Sequence, residues 1–128
     1  VSTAGVRVNL NVTTQSGGFA EGDRLISIEN VTGSGFADTI TGSDAGNVLS
    51  LLDGSDTAFA GGGNDDVYGG DGSDAIYGGS GLDRLYGGDQ NDRLFGELSS
   101  DQMYGGNGDD ALNGGVGSDT MYGGANAD

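Results

Sequence analysis

GGDGSDAIYGGSGLDRLY, residues 69–86, is one nine-residue phrase written twice. Each copy gives a glycine pair, a third glycine at position four, an aspartate at position six, an aliphatic residue at position eight and a tyrosine at position nine. Laid along the chain, the phrase restarts at Gly33, Gly42, Leu51, Ala60, Gly69, Gly78, Gly87, Gly96, Gly105, Gly114 and Gly123, and the last register ends at its sixth residue, Asp128. Position six reads Asp38, Asn47, Asp56, Asp65, Asp74, Asp83, Asp92, Asp101, Asp110, Asp119 and Asp128. Position eight reads Ile40, Leu49, Ala58, Val67, Ile76, Leu85, Leu94, Met103, Leu112 and Met121, almost always large and apolar.

This period predicts an all-β fold. Three residues around each position-eight side chain make a short strand, with the middle side chain on one face and its neighbours on the other. The other six turn the chain, their glycines admitting positive φ where other residues clash. Two registers then close one eighteen-residue coil, and coils stack at about 4.8 Å. The expected architecture is a parallel β-roll, a β-helix-type solenoid, over residues 33–128, with residues 1–32 as an N-terminal capping strand and loop. Within that cap VRVNL (6–10) alternates Val6, Val8 and Leu10 on one face and reads as a strand, TTQSGGFAEGD (13–23) as a loop, and Leu25, Ile28 and Val31 as a further apolar element.

Composition narrows the function. The 128 residues include 29 glycines and no proline, cysteine, histidine or tryptophan. Proline would remove a ladder donor from a coil, so its absence suits stacked strands. Without cysteine there are no disulfides or thiolate metal sites, and without histidine zinc and copper sites are disfavoured. A net charge of −16 argues against nucleic acid and anionic membranes as partners. No apolar run is long enough to span a bilayer. Residue 1 is valine and no signal segment is present, which reads as a processed chain or an excised piece.

Stacking places Asp38, Asp56, Asp74, Asp92, Asp110 and Asp128 on one edge, and Asn47, Asp65, Asp83, Asp101 and Asp119 on the other. Like charges about 4.8 Å apart repel, so both columns call for cations. Carboxylates and turn carbonyls are hard oxygen ligands, and six or more flexible ones suit calcium better than octahedral magnesium. An EF-hand is excluded, since no loop of that pattern closes with glutamate. No acid–base or nucleophilic constellation stands apart from the turns, so no enzyme is expected.

The phrase matches G-G-x-G-x-D-x-U-x, and over roughly residues 33–128 the chain resembles the RTX (haemolysin-type) calcium-binding nonapeptide-repeat family. The stretch GDRLISIENVTGS (22–34) is similar to the lead-in of such repeats. The resemblance implies Ca2+ between turns one coil apart, held by the ten position-six aspartates and by turn carbonyls. Those carbonyls would come from the segments of Gly61, Gly63, Gly69, Gly70, Gly72, Gly78, Gly79, Gly81, Gly87, Gly88, Gly105, Gly106, Gly108, Gly114, Gly115 and Gly117. Pairing neighbours gives five sites on one edge and four on the other, up to nine, and eight dications would balance the charge of −16. It also implies type I export as an unfolded chain, folding in extracellular calcium, and a secreted or cell-surface location.

Departures from the phrase grade these expectations. Ser43, Ala45 and Asn47 break the second register, Leu51 and Leu52 replace a glycine pair, Gln90 and Asn126 replace the third glycine, and Glu97 and Ser99 interrupt register 96–104. The most regular sites are expected between Asp65 and Asp83 and between Asp74 and Asp92, with those touching Asp38 and Asn47 weaker or missing. Leu51 and Leu52 read as drift or as a docking point for a partner.

Seven of nine aromatics fall at position nine: Phe59, Tyr77 and Phe95 on one sheet, Tyr68, Tyr86, Tyr104 and Tyr122 on the other. Such rows read as cross-strand ladders, as platforms for glycan rings, or as contacts for another chain. The leading function is therefore a non-catalytic calcium-binding structural module of a secreted bacterial protein. The alternatives are a self-assembling subunit of a fibre, surface layer or adhesin, associating end to end, and a glycan-binding appendage of a secreted enzyme.

Overall fold

The structure is a computed structural model that describes residues 4–11 and 28–128. The expected loop at 13–23 and Leu25 lie outside these residues. Among the described residues the strands are β1 (Arg7–Asn9), β2 (Asn30–Thr32), β3 (Thr39–Thr41), β4 (Val48–Asp53), β5 (Thr57–Gly62), β6 (Asp66–Asp71), β7 (Ala75–Ser80), β8 (Arg84–Asp89), β9 (Arg93–Leu98), β10 (Gln102–Asn107), β11 (Ala111–Asn113) and β12 (Thr120–Ala125). Odd-numbered strands form one parallel sheet in the order β1-β3-β5-β7-β9-β11, and even-numbered strands form the other, β2-β4-β6-β8-β10-β12. Every pairing links residues eighteen apart within the repeat, as in Ile76 with Leu94 and Leu85 with Met103. The fold is the all-β parallel roll that the period implies. At its head, β1 pairs with β3 and β2 with β4, so residues before Gly33 supply the first rung of each sheet.

Strand length corrects the sequence reading. Central strands run six residues and take in the glycine pair, leaving three-residue turns such as Gly72-Ser73-Asp74. Along each strand positions six, eight and one face inward: Asp74, Ile76 and Gly78 are all buried. Position eight fills the interior with Ile40, Leu49, Ala58, Val67, Ile76, Leu85, Leu94 and Met103, joined by Leu51 and Ala60 from position one.

The glycines also serve more than turning. Position-one glycines keep ordinary φ, and their constraint is space: a methyl group on Gly69 would overlap the Asp74 carboxylate and the Gly87 carbonyl. Positions two and four carry the left-handed backbone, as at Gly70 (φ 112°) and Gly72 (φ 138°). From Leu51 onward, where glycine is missing there, the backbone does not relax: Leu52, Gln90, Glu97, Ser99 and Asn126 hold φ between 75° and 96°. The roll imposes this geometry on residues that resist it.

Both aromatic rows are stacked ladders. Ring centroids lie 4.8–5.0 Å apart with planes within 13° of parallel, from Phe59 through Tyr77 to Phe95 and from Tyr68 through Tyr86 and Tyr104 to Tyr122. Ring faces are thus turned to neighbouring rings, and edges point to solvent. Along each ladder this leaves open faces only on the terminal rings.

Leu52 stands half-exposed at φ 80°, a conformation that costs a non-glycine residue about 1–2 kcal/mol. Leu52→Gly should therefore stabilise the folded roll by about 0.5–1 kcal/mol after the extra chain entropy of glycine is subtracted. Gly72→Ala should destabilise it, since the added methyl meets the Gly54 carbonyl. Denaturant midpoints of the two variants measure this, with opposite signs expected.

Candidate metal centre

Two inward columns of carboxylates run the length of the roll. In each, one oxygen is engaged by the backbone of the preceding coil. The N–H of Asp56 donates to Asp74 Oδ1 at 2.8 Å, that of Asp74 to Asp92 at 2.8 Å, and that of Asp92 to Asp110 at 2.9 Å. The other column repeats this from Asn47 to Asp65 (2.7 Å), Asp65 to Asp83 (2.9 Å), Asp83 to Asp101 (2.9 Å) and Asp101 to Asp119 (2.9 Å). Asp38 donates to Asp56, and Asp110 to Asp128, so the ladder reaches both ends of the repeat. The last residue of each turn, position six, points its side chain inward, which makes this link possible.

The second oxygen has no such partner. Oδ2 of Asp56, Asp65, Asp74, Asp83, Asp92, Asp101 and Asp110 is buried without a hydrogen bond. A stranded buried carboxylate oxygen is costly, and its repetition from Asp56 to Asp110 suits a positively charged partner. Its surroundings are oxygen-rich. Gly69, Gly78, Gly87, Gly96 and Gly105 each lie against the Oδ2 of their own register and a position-one carbonyl of the next coil. Gly114 lies likewise against Asp119. Position-two glycines Gly61, Gly70, Gly79, Gly88, Gly106 and Gly115 face the position-two carbonyl of the coil before. Gly72, Gly81, Gly108 and Gly117 do the same at position four, while Gly63 meets the backbone of Ala45 and Gly46. Among the described residues no three acidic side chains gather at one point, so side chains alone would not complete an ion's shell. Buried carboxylates with peptide oxygens beside them fit a hard cation, and calcium's preference for many flexible oxygens suits that set.

The two ends differ from the middle. Asp38 is satisfied by protein donors: the N–H of Val6 reaches Oδ1 at 2.6 Å and that of Ser34 reaches Oδ2 at 2.5 Å. Asn47 Oδ1 accepts the Ser43 N–H at 2.7 Å. At the other end Asp119 is half-buried and Asp128 exposed. Ser34 and Ser43 were not legible as partners, because position two reads simply as a lost glycine. A second, outer ladder was equally hidden: Asn64 and Asn91 at position five accept the N–H of Leu82 and Asp109, one coil on.

Electrostatics follow from burial. Desolvation pushes the Asp92 carboxyl up to about 7, with Asp74 and Asp110 adding repulsion against the backbone hydrogen bond that lowers it. Asp56 and Asp83 are pushed up to about 6 for the same reason, and burial raises Asp65, Asp74 and Asp101 as well.

A parallel solenoid with two columns of buried, half-satisfied carboxylates defines a β-roll suited to binding cations. The chain belongs to the RTX calcium-binding nonapeptide repeat family, whose four-copy profile matches residues 41–76, 51–85, 68–103, 77–112 and 98–128. No curated protein matches the chain. Membership makes the roll a calcium-binding structural module, and the family is not one of enzymes.

Because the folded carboxyls bind protons more tightly than the unfolded chain, whose aspartates titrate near 3.8, the ion-free roll is most favoured below that pH and loses this advantage as pH rises through 6–7. In chelator, lowering pH from 8 toward 4 should increase the β signal in circular dichroism. In calcium the same change should raise the calcium midpoint, as protons compete for the ligands. A β signal in chelator that does not change with pH would contradict both statements.

Proposed function

We propose that this chain is a non-catalytic structural module of a secreted bacterial protein that folds as extracellular calcium enters its turns. The observation that carries the reading is the set of seven buried Oδ2 atoms without partners. Each belongs to a position-six aspartate, and those of Asp74, Asp83, Asp92, Asp101 and Asp110 lie with a position-one carbonyl of the next coil against the same glycine. Seven of the nine neighbour pairings avoid Asp38 and Asn47, which supports seven ions. The ligands are Asp56, Asp65, Asp74, Asp83, Asp92, Asp101 and Asp110, completed by Asp119, Asp128 and turn carbonyls.

Secretion is supported by the family, whose repeats are typical of secreted bacterial proteins, and by the cysteine-free, strongly acidic composition. Such a chain repels itself in low calcium and gains its fold where calcium is plentiful. Extracellular calcium modules bind at about 0.1–1 mM, the range in which this switch would operate. No helix among the described residues is long and apolar enough to cross a membrane.

Chelated protein should lack most of its β signal and recover it with a midpoint of about 0.1–1 mM calcium, while magnesium at the same concentration restores little. Equilibrium dialysis then tests the ligands. Asp74→Ala and Asp83→Ala should lower the number of bound ions and raise the midpoint, whereas Asp38→Ala should leave the number of ions unchanged. Equal loss at all three positions would overturn this assignment, and identical circular dichroism in chelator and calcium would overturn the function itself.

A further inference from the structure

The head of the roll is built differently from the rest. Asp38 spends both carboxylate oxygens on protein: Oδ1 accepts the Val6 N–H and the Ser34 hydroxyl, at 2.6 and 2.8 Å, and Oδ2 accepts the Ser34 N–H at 2.5 Å. One turn on, the equivalent residue carries no charge. Asn47 takes the Ser43 N–H on Oδ1, and its Nδ2 donates to the Glu29 carbonyl at 3.2 Å. An aspartate could not make that second bond.

Backbone and interior change at the same place. Ser34, Phe36, Ser43 and Ala45 occupy positions two and four without the left-handed φ found there in later registers. Leu51 and Ala60 occupy position one, where other registers have glycine, and both are fully buried with Ile40, Leu49 and Ala58. Val31 packs against the same cluster. Thus hydroxyls, amides and apolar side chains do at the head what stranded carboxylates leave undone from Asp56 onward.

We infer that residues 30–60 form a cation-independent nucleus onto which later coils add in chain order as calcium enters. This rests on the calcium-driven folding proposed above. The nucleus presents the N–H groups of Asn47 and Asp56, which the carboxylates of Asp65 and Asp74 accept, so the first calcium-dependent rungs dock on preformed donors. In a solenoid each unit contacts only its neighbours, so a stable first unit sets the direction of growth. The loop entropy of bringing parallel strands together is then met one coil at a time.

Hydrogen exchange of the full chain, read by mass spectrometry, tests this. In chelator, amides of residues 48–60 should keep about tenfold protection while those of 74–122 exchange as an unfolded chain, because locally stable units exchange independently. As calcium rises, protection should spread from Gly61 toward Tyr122. Asn47→Asp, which loses the donor to Glu29, and Leu51→Gly, which empties the interior, should each abolish protection of 48–60 in chelator, with full protection returning at saturating calcium for at least one of them. No protection in chelator for the native sequence, or simultaneous protection of all coils during the titration, would overturn the nucleus and leave calcium-driven folding standing. Full protection of 74–122 in chelator would instead overturn the calcium reading on which it depends.

Discussion

Everything in this molecule hangs on the bond from a position-six N–H to the position-six carboxylate of the next coil. It places an ionisable side chain inside the roll, where only apolar groups would ordinarily be stable. It fixes the coil spacing as firmly as the strand ladders do, because the aspartate that accepts from one coil donates to another. And it uses one carboxylate oxygen while leaving its twin buried and unsatisfied. The buried oxygens that suit a cation are thus a result of how the backbone is tied together, in the same columns that hold the coils in register.

That bond also explains the glycines at position one. The carboxylate folds back over the start of its own register, and Gly69, Gly78, Gly87, Gly96 and Gly105 leave it room. Composition suggested glycines chosen for unusual φ, which holds at positions two and four and fails at position one. Two demands, one steric and one conformational, are superimposed in the same pair of letters. Their difference becomes visible only when the inward direction of Asp74 and its equivalents is known.

The period made the architecture legible: a nine-residue beat with one apolar and one acidic residue permits few closed coils, and parallel sheets of alternate registers follow from it. The two carboxylate columns were legible for the same reason, since stacking brings residues eighteen apart together whatever the turn geometry. What stayed hidden lay in positions the phrase leaves variable. Ser34 and Ser43 look like lost glycines, yet they supply donors. Asn64 and Asn91 look like turn residues, yet they tie coils together on the outside. Strand length was misjudged because glycine pairs read as turn, whereas ladder pairing continues through Gly61 and Gly79. The aromatic rows were legible as rows, but the direction of their ring faces depends on side-chain torsions the repeat does not encode.

A chain whose coils offer identical donors and acceptors has a problem of alignment, because displacement by eighteen residues recreates nearly every contact. Asn47 breaks that equivalence. A slip of one coil would bring the Asp65 carboxylate against the Glu29 carbonyl, two acceptors facing each other where an amide now donates. Leu51 and Ala60 act in the same sense, since their side chains fit an interior that the glycine registers do not offer. The irregular letters of an otherwise monotonous sequence are thus its index marks, by which a repetitive chain finds a single alignment.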